Sequence, residues 1–313
     1  MSIKCVKKTV FTAVVLSLLA GFIYAEQGTT SAAFLKLDQG ARPVAMGGAF
    51  TAAADDVNAI MYNPAGLSQL KGMEATTMYS LWFDGIMYGY LAAAYNAGDI
   101  GTFGLGVVYV SSGTIQGWDI AGNATSSFTA GDLGINLGYG TSINKETSLG
   151  ITLKIFNEQI SSSAALGFAA DLGCIYKIIK DLQLGVAVQN LGPKFGFGEA
   201  FWLPIDFRLG VSYTGIRSMM LNMDYIQPIE TYGILALGME YWYRELLVLR
   251  LGFQFQGKFD LNEWYQNFAG PGIMGSLVLG AGVKIDIYEI DYAYRQYGVL
   301  GSTHRMGLTL KFK

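Results

Sequence analysis

From Met73 onward apolar and polar residues alternate in run after run, and this period of two leaves few folds open. Over 148–158, Leu149, Ile151, Leu153 and Ile155 fall on one side, and Ser148, Gly150, Thr152 and Lys154 on the other. Over 205–214, Ile205, Phe207, Leu209, Val211 and Tyr213 oppose Asp206, Arg208, Gly210 and Ser212; 246–256 repeats the pattern with Leu247, Leu249, Leu251, Phe253 and Phe255. Successive side chains of a strand point to opposite faces, so such runs are strands with one apolar face each. Alternation and turn residues predict fourteen of them, near 73–83, 86–96, 101–112, 131–143, 148–158, 165–178, 182–191, 205–214, 218–227, 232–243, 246–256, 273–285, 287–296 and 303–312. Each is close to, or somewhat longer than, the ~9–11 residues that a tilted membrane strand needs.

A soluble β-sandwich also alternates, and composition separates the two. Mean hydropathy is +0.33 and charged residues are only 14%, yet no window after the first 25 residues offers an apolar run long enough for a spanning helix, which needs roughly 20 residues. Hydrophobicity spread by alternation is the pattern of a transmembrane β-barrel. The polar face is rich in glycine, with 41 in the chain, which suits a filled lumen. Aromatics gather near strand ends (Tyr79, Trp82, Phe83, Tyr241, Trp242, Tyr243, Tyr294, Tyr297) as interfacial girdles do. Long connections near 113–130, 192–204 and 257–272 alternate with short turns near 97–100, 144–147, 179–181, 215–217 and 244–245, as in a barrel with both termini on the short-turn side. The predicted fold is therefore all-β, an antiparallel transmembrane barrel of about fourteen strands over 73–313.

Residues 1–25 read as a cleaved secretory signal: Lys4, Lys7 and Lys8 precede the apolar run Val10–Gly21, and Ala25 offers a small-residue cleavage site. Its removal leaves 18 Lys+Arg against 24 Asp+Glu. That acidic balance, without a basic stripe, excludes a nucleic-acid binder. Only Cys174 remains after processing, so no intrachain disulfide is expected. The final strand, Arg305 to Phe312, resembles the C-terminal signal read by the outer-membrane barrel-assembly machinery, with a polar residue, Gly307, an apolar residue and the aromatic Phe312, and departs from it only in carrying Lys313 after the aromatic. The expected location is the bacterial outer membrane, with its lipids as neighbours.

Enzyme signatures fail. His304 is the sole histidine, so any triad or histidine zinc site would depend on it. Gly270 to Gly275 has dinucleotide-fingerprint spacing but opens a strand, where that motif opens a helix. Asp55, Asp56 and Asn58 lack the alternation of a calcium loop and suit a helix cap or ion pairs. No catalytic residue, metal or cofactor is expected.

Residues 26–72 stand apart from the strands. Ala41–Ala54 predicts a short helix with Pro43 in its first turn, Asp55-Asp56 a cap for a second helix through Tyr62, and Asn63-Pro64 a break. A compact segment before a long strand run is placed by that run, and the glycine-rich lumen is where it fits: a hatch, or plug. Gly40-Ala-Arg-Pro-Val-Ala-Met-Gly-Gly-Ala-Phe50, Ala54-Asp-Asp56 and Tyr62-Asn-Pro-Ala-Gly-Leu67 together resemble the N-terminal signature of the PorV/PorQ family, which overlaps the UPF0164-type barrels and is related to the FadL-like long-chain fatty-acid transporters. The resemblance implies a fourteen-stranded outer-membrane barrel with an N-terminal hatch, in which Asn63, Pro64 and Ala65, with Asp55 and Asp56, form the gate. It implies passive uptake of a small hydrophobic ligand such as a long-chain fatty acid, or a shuttle and scaffold role for secreted proteins in type IX secretion. A purely structural barrel is the third reading.

Two further groups bear on function. By alternation Lys154, Arg208, Arg250, Lys284, Arg295 and Arg305 face the lumen, with Asp171, Asp206, Asp224, Glu240, Glu289 and Asp291. Buried charges need partners, so these form an ion-pair network that ties down the plug, or Arg208, Arg250 and Arg295 receive an anionic headgroup. Two loops carry aromatics that water disfavours: Phe195, Phe197, Phe201 and Trp202 in one, Trp264 and Phe268 in the other. They mark a hydrophobic docking surface or an inward-folded lid.

Overall fold

Fourteen antiparallel strands close into a single barrel in the computed structural model, which describes residues 28–257, 277–297 and 301–312. They are β1 Met73–Leu81, β2 Met87–Asn96, β3 Thr102–Ile115, β4 Phe128–Ser142, β5 Thr147–Ile160, β6 Ser163–Ile179, β7 Leu182–Leu191, β8 Asp206–Ile216, β9 Met219–Pro228, β10 Ile234–Tyr243, β11 Leu247–Gln256, β12 Leu277–Ile285, β13 Tyr288–Gln296 and β14 Ser302–Phe312. β1 closes the wall on β14, from Met73 opposite Phe312 to Leu81 opposite His304. The expected secretory signal and the loop bearing Trp264 and Phe268 lie outside the described residues.

Alternation places the side chains as expected. In β5 Leu149, Ile151, Leu153 and Ile155 are exposed on the outer wall, while Ser148, Thr152 and Lys154 are buried. An apolar outer belt above polar, buried inner positions is the inverse of a soluble barrel and fits a hydrocarbon surround. β3 to β6 run to 14, 15, 14 and 17 residues, longer than predicted. The expected loop at 113–130 thereby contracts to 116–127, and β5 and β6 meet through only Ser161 and Ser162. Trp242 is corrected from the outer girdle. Its position in β10 has the inward parity of Glu240, and its Nε1 donates to Glu240 Oε1 at 3.0 Å. Trp82, Phe83 and Tyr297 instead pack on one another, with centroids 5.4–5.8 Å apart.

The N-terminal segment threads the lumen. Ser31 N donates to Trp202 O at 3.0 Å in the β7–β8 connection, and Glu230, in the β9–β10 connection, bonds Thr30 and Lys36. Both connections lie at the end opposite the start of β1, so the segment enters at the long-loop end and reaches β1 at the short-turn end. It forms 3-10 turns at Ala33–Lys36 and Pro64–Gln69 and two short helices, α1 Ala41–Ala45 and α2 Ala59–Tyr62. The single helix expected over 41–54 stops at Ala45, because Gly47 and Gly48 take φ of 66° and 76°, a left-handed conformation that a helix does not continue through. The expected cap by Asp55-Asp56 is also corrected: Asn58 precedes α2, and Asp56 Oδ1 accepts the Asn58 amide at 2.8 Å.

Candidate functional site: the plugged lumen

Inward-facing glycines let the plug lie directly on the wall. A Cβ added at Gly150 or Gly173 would strike Pro64 or Asn63; at Gly185 or Gly210, Thr51 or Ala52; at Gly238 or Gly252, Met46 or Gly47. A side chain at any of these positions would displace the plug. The plug is correspondingly dry: Val44, Ala45, Met46, Ala49, Phe50, Ala52 and Ala54 are fully buried.

Asn63 fixes the bend between α2 and the Pro64–Gln69 turn. Its Nδ2 donates to Thr51 O at 2.7 Å within the plug and to Cys174 O on β6 at 3.2 Å, while its Oδ1 accepts the Ala65 amide at 3.2 Å. Pro64 occupies the first position of the turn, where its missing N–H costs nothing. The expected gate triplet is thus one hydrogen-bonded corner. Strand side chains reach other plug backbone groups: Asp224 accepts the amides of Phe50 and Thr51 at 2.9 and 2.7 Å, and Gln189 Nε2 donates to Met61 O and Tyr62 O at 2.7 and 2.8 Å.

Asp55 and Asp56 share a partner that sequence reasoning did not single out. Arg42 Nη1 bonds Asp55 Oδ1 at 2.6 Å and Asp56 Oδ2 at 2.8 Å, and its Nε and Nη2 grip Glu240 on β10 at 2.9 and 3.1 Å. Glu240 also accepts from Arg250 Nε at 2.6 Å; Arg250 reaches Glu289 at 3.2 Å and Asp291, and Lys311 pairs with Glu289 at 3.0 Å. Arg42 is the sole arginine of 26–72, and that was the signal available for finding it.

The lumenal arginines divide. Arg250 is corrected as an anion receptor: three carboxylates already share its fully buried guanidinium. Arg208 pairs with Asp206 at 2.8 Å and stacks over the Tyr62 ring at 5.8 Å; Arg295 pairs with plug Asp38 at 3.0 Å. Lys154 and Asp171 form a separate buried pair at 2.8 Å, with Lys154 Nζ also bonding Asn190 at 2.7 Å. Lys284 lies over the Trp242 ring at 5.7 Å.

At the long-loop end, Phe34 of the plug meets Phe156 edge-on at 5.6 Å, and Phe156 meets Phe195 at 5.0 Å. Both readings of the 192–205 connection hold in part. Phe195 and Leu203 fold inward and are buried, whereas Phe197, Phe201 and Trp202 are 42%, 43% and 51% exposed. Phe195 and Phe201 pair backbone to backbone within the connection.

No family model and no curated relative matches the chain. Solved structures do. The Ralstonia pickettii toluene transporter TbuX superposes with a TM-score of 0.65, covering 89% of this chain and 100% of its own, at 14% identity. The CymD monoaromatic hydrocarbon channel gives 0.60, with 87% and 97% covered at 12% identity. A Pseudomonas aeruginosa FadL homologue gives 0.54, with 83% and 95% covered at 13% identity. At such identities the likeness is one of fold. The chain is a closed fourteen-stranded antiparallel barrel with the fold of the FadL-like outer-membrane barrels, its lumen filled by its own N-terminal segment.

Proposed function

We propose that the protein sits in the bacterial outer membrane, exported by a cleaved signal peptide, and admits small hydrophobic molecules passively, with the plug as its gate. The observation that carries this reading is the lumen itself: closed at its waist by a plug seated on glycines and lined by Phe34, Phe156 and Phe195 where the long loops meet it. An open aqueous pore has no use for either feature. The printed descriptions of the neighbours, a toluene transporter and a monoaromatic hydrocarbon channel, support a hydrophobic substrate; long-chain fatty acids are the finer proposal, resting on the plug signature and the lumenal arginines. Asn63, Pro64, Ala65, Asp55 and Asp56 are the proposed gate, and Phe195, Phe197, Phe201 and Trp202 the proposed entry surface. The test is uptake of labelled oleate and toluene by cells that depend on this protein. Absence of uptake of both, with the barrel folded in the membrane, contradicts the reading.

A second reading is favoured by one observation: Phe197, Phe201 and Trp202 remain exposed beside a lid that buries Phe195. Aromatics displayed above a membrane suit a protein partner, as in the PorV-like secretion role. Cross-linking from position 202 to a secreted protein in intact cells supports it; cross-links to lipid alone contradict it.

A further inference from the structure

Of the seven arginines, five bond carboxylates or carbonyls inside the barrel. The other two, Arg217 between β8 and β9 and Arg244 between β10 and β11, are exposed at the short-turn end. Their turns are neighbours. The Trp242 amide donates to Ser218 O at 2.8 Å, which extends the β9–β10 pairing by one residue and brings Arg217 level with Tyr243. Arg244 and Glu245 form a two-residue turn with φ of 52° and 56°, the left-handed region in which such turns favour Asn and Gly. The Arg244 guanidinium lies 5.3 Å over the Tyr243 ring. Tyr243 has the outward parity of Tyr241 and both are exposed, so this charge sits on the outer side of the wall. Neither arginine has an ion-pair partner among the described residues, Glu245 included. The turns at 97–101, 143–146, 180–181 and 286–287 each carry an acid, Asp99, Glu146, Asp181 and Asp286, whereas 216–218 carries none.

Along the outer wall from these arginines lies an apolar groove of about 460 Å³. Two outward rungs of β8 to β11 form its sides: Tyr213, Leu221, Met239 and Leu251 in one, Met223 and Leu237 in the other. Methionine is unbranched and adapts to the shape of a flexible neighbour. Met239 and Arg244 are five residues apart, about 16 Å of strand, which is on the order of half the ~30 Å hydrocarbon core of a bilayer. The groove therefore lies at acyl-chain depth when the turns lie at headgroup depth, and Tyr241 and Tyr243 fill the level between, as interfacial tyrosines do. An arginine fork matches a phosphate at two points. A zwitterionic headgroup brings its own cation to that phosphate, and an anionic one does not.

We propose that this corner of the wall is a binding site for one anionic glycerophospholipid of the short-turn leaflet, its phosphate between Arg217 and Arg244 and an acyl chain in the groove beside Met223 and Met239. This goes beyond uptake and rests only on the membrane placement argued above.

Native mass spectrometry of the purified mature protein, titrated with dioleoylphosphatidylglycerol or dioleoylphosphatidylcholine, tests it; the two lipids share their chains and differ in charge. Phosphatidylglycerol is expected to make the first binding event about 25-fold tighter, about fivefold for each arginine. Arg217→Gln and Arg244→Gln each lower its affinity about fivefold, the double variant binds both lipids alike, and phosphatidylcholine affinity stays constant throughout. Met239→Trp fills the groove and weakens both lipids by the same factor. Lys145→Gln, on the β4–β5 turn, changes nothing. Equal wild-type affinity for the two lipids overturns the proposal, and that comparison decides by itself if the arginine variants do not fold. A preference that survives the double variant, or falls as far in Lys145→Gln as in Arg217→Gln, overturns it as well, as does unchanged binding in Met239→Trp. Glycerol phosphate displacing the lipid at equal concentration means a free-anion site and removes the lipid. Protein that inserts into bilayers without any preference loses this site alone and keeps the uptake reading; protein that inserts into bilayers of neither lipid loses the membrane placement and both.

Discussion

Arg42 and Glu240 meet side-on, Nε to Oε2 at 2.9 Å and Nη2 to Oε1 at 3.1 Å, and so join the plug to the tenth strand through a two-point ion pair. Both residues are buried, and Glu240 passes the connection on to Arg250 at 2.6 Å. Removing one partner from such a pair leaves the others charged and unpaired, a loss of about 3–5 kcal/mol. Arg42→Met is therefore expected to loosen the plug while the barrel wall stays folded. Single-channel recording in planar bilayers checks it: frequent ion-conducting openings in Arg42→Met against a quiet wild type. Identical quiet traces would mean that the pair does not hold the plug.

Glycines at the plug contact are expected to tolerate no side chain. Gly252→Ala places a Cβ against Met46 and Gly47 backbone, whereas Gly89→Ala on β2 meets nothing within 4 Å. Overpacking of this kind costs about 1–3 kcal/mol. The temperature at which each variant loses its compact electrophoretic migration should fall for Gly252→Ala and stay at the wild-type value for Gly89→Ala. Equal temperatures for the two variants refute the direct seating of plug on wall.

Asn63→Ala is expected to cost about 1–3 kcal/mol, because the Thr51 and Cys174 carbonyls lose a buried donor. Hydrogen exchange at the Ala65 amide, which Asn63 Oδ1 accepts, should accelerate in this variant. Exchange at the wild-type rate would show that Pro64 alone sets the corner.

The strand count was legible in the sequence because a buried face must repeat every second residue; Leu149 to Ile155 leave no other reading. Strand ends were less legible. β3 to β6 extend past the apolar outer belt, where outward residues such as Asn157 and Gln159 are polar and the alternation loses contrast. The plug's position followed from its being the one compact segment, but its internal shape did not: Gly47 and Gly48 break the helix through backbone conformations that alanine propensity does not record. The inward charges were legible one by one and their pairing was not. Arg250 and Arg295 sit at equivalent inward parity, yet one is enclosed by three carboxylates and the other meets one plug residue. Which inward charges become neighbours depends on strand register around the wall, which sets Glu240 opposite Arg250, and on the path of the plug, which brings Asp38 to Arg295; the periodicity within a strand encodes neither.

The loop 116–127 is expected to respond to acid. Asp119 is held below its usual pKa by hydrogen bonds, the Asn123 side chain first and then the Asn123 amide, with lesser help from the Ala121 and Gly122 amides, against an opposing effect of desolvation. For a depressed carboxylate the stabilisation is present above the unfolded value and is lost as pH falls through the folded one. Exchange at the Ala121 and Asn123 amides, which bond Asp119 Oδ1 at 2.9 and 2.8 Å, should therefore stay protected, relative to the pH-dependent intrinsic rate, down to the ordinary carboxylate range and lose protection below it. Protection unchanged to about pH 2 would show that the carboxylate does not order this turn.

The central claim, that the plug moves to let a substrate through, is tested most directly by tying it down. Ala41 at the start of α1 lies 3.1 Å from a Cβ built on Gly307 of β14, so a shift of a few tenths of an ångström brings an Ala41→Cys/Gly307→Cys pair within the ~3.5–4.5 Å Cβ separation of a disulfide. In a Cys5→Ser/Cys174→Ser background the new pair is the only pair of cysteines in the chain. Uptake of labelled oleate and toluene by cells carrying this variant is measured oxidised and then reduced. The account predicts that oxidation stops uptake and reduction restores it; uptake at the same rate in both states would contradict it.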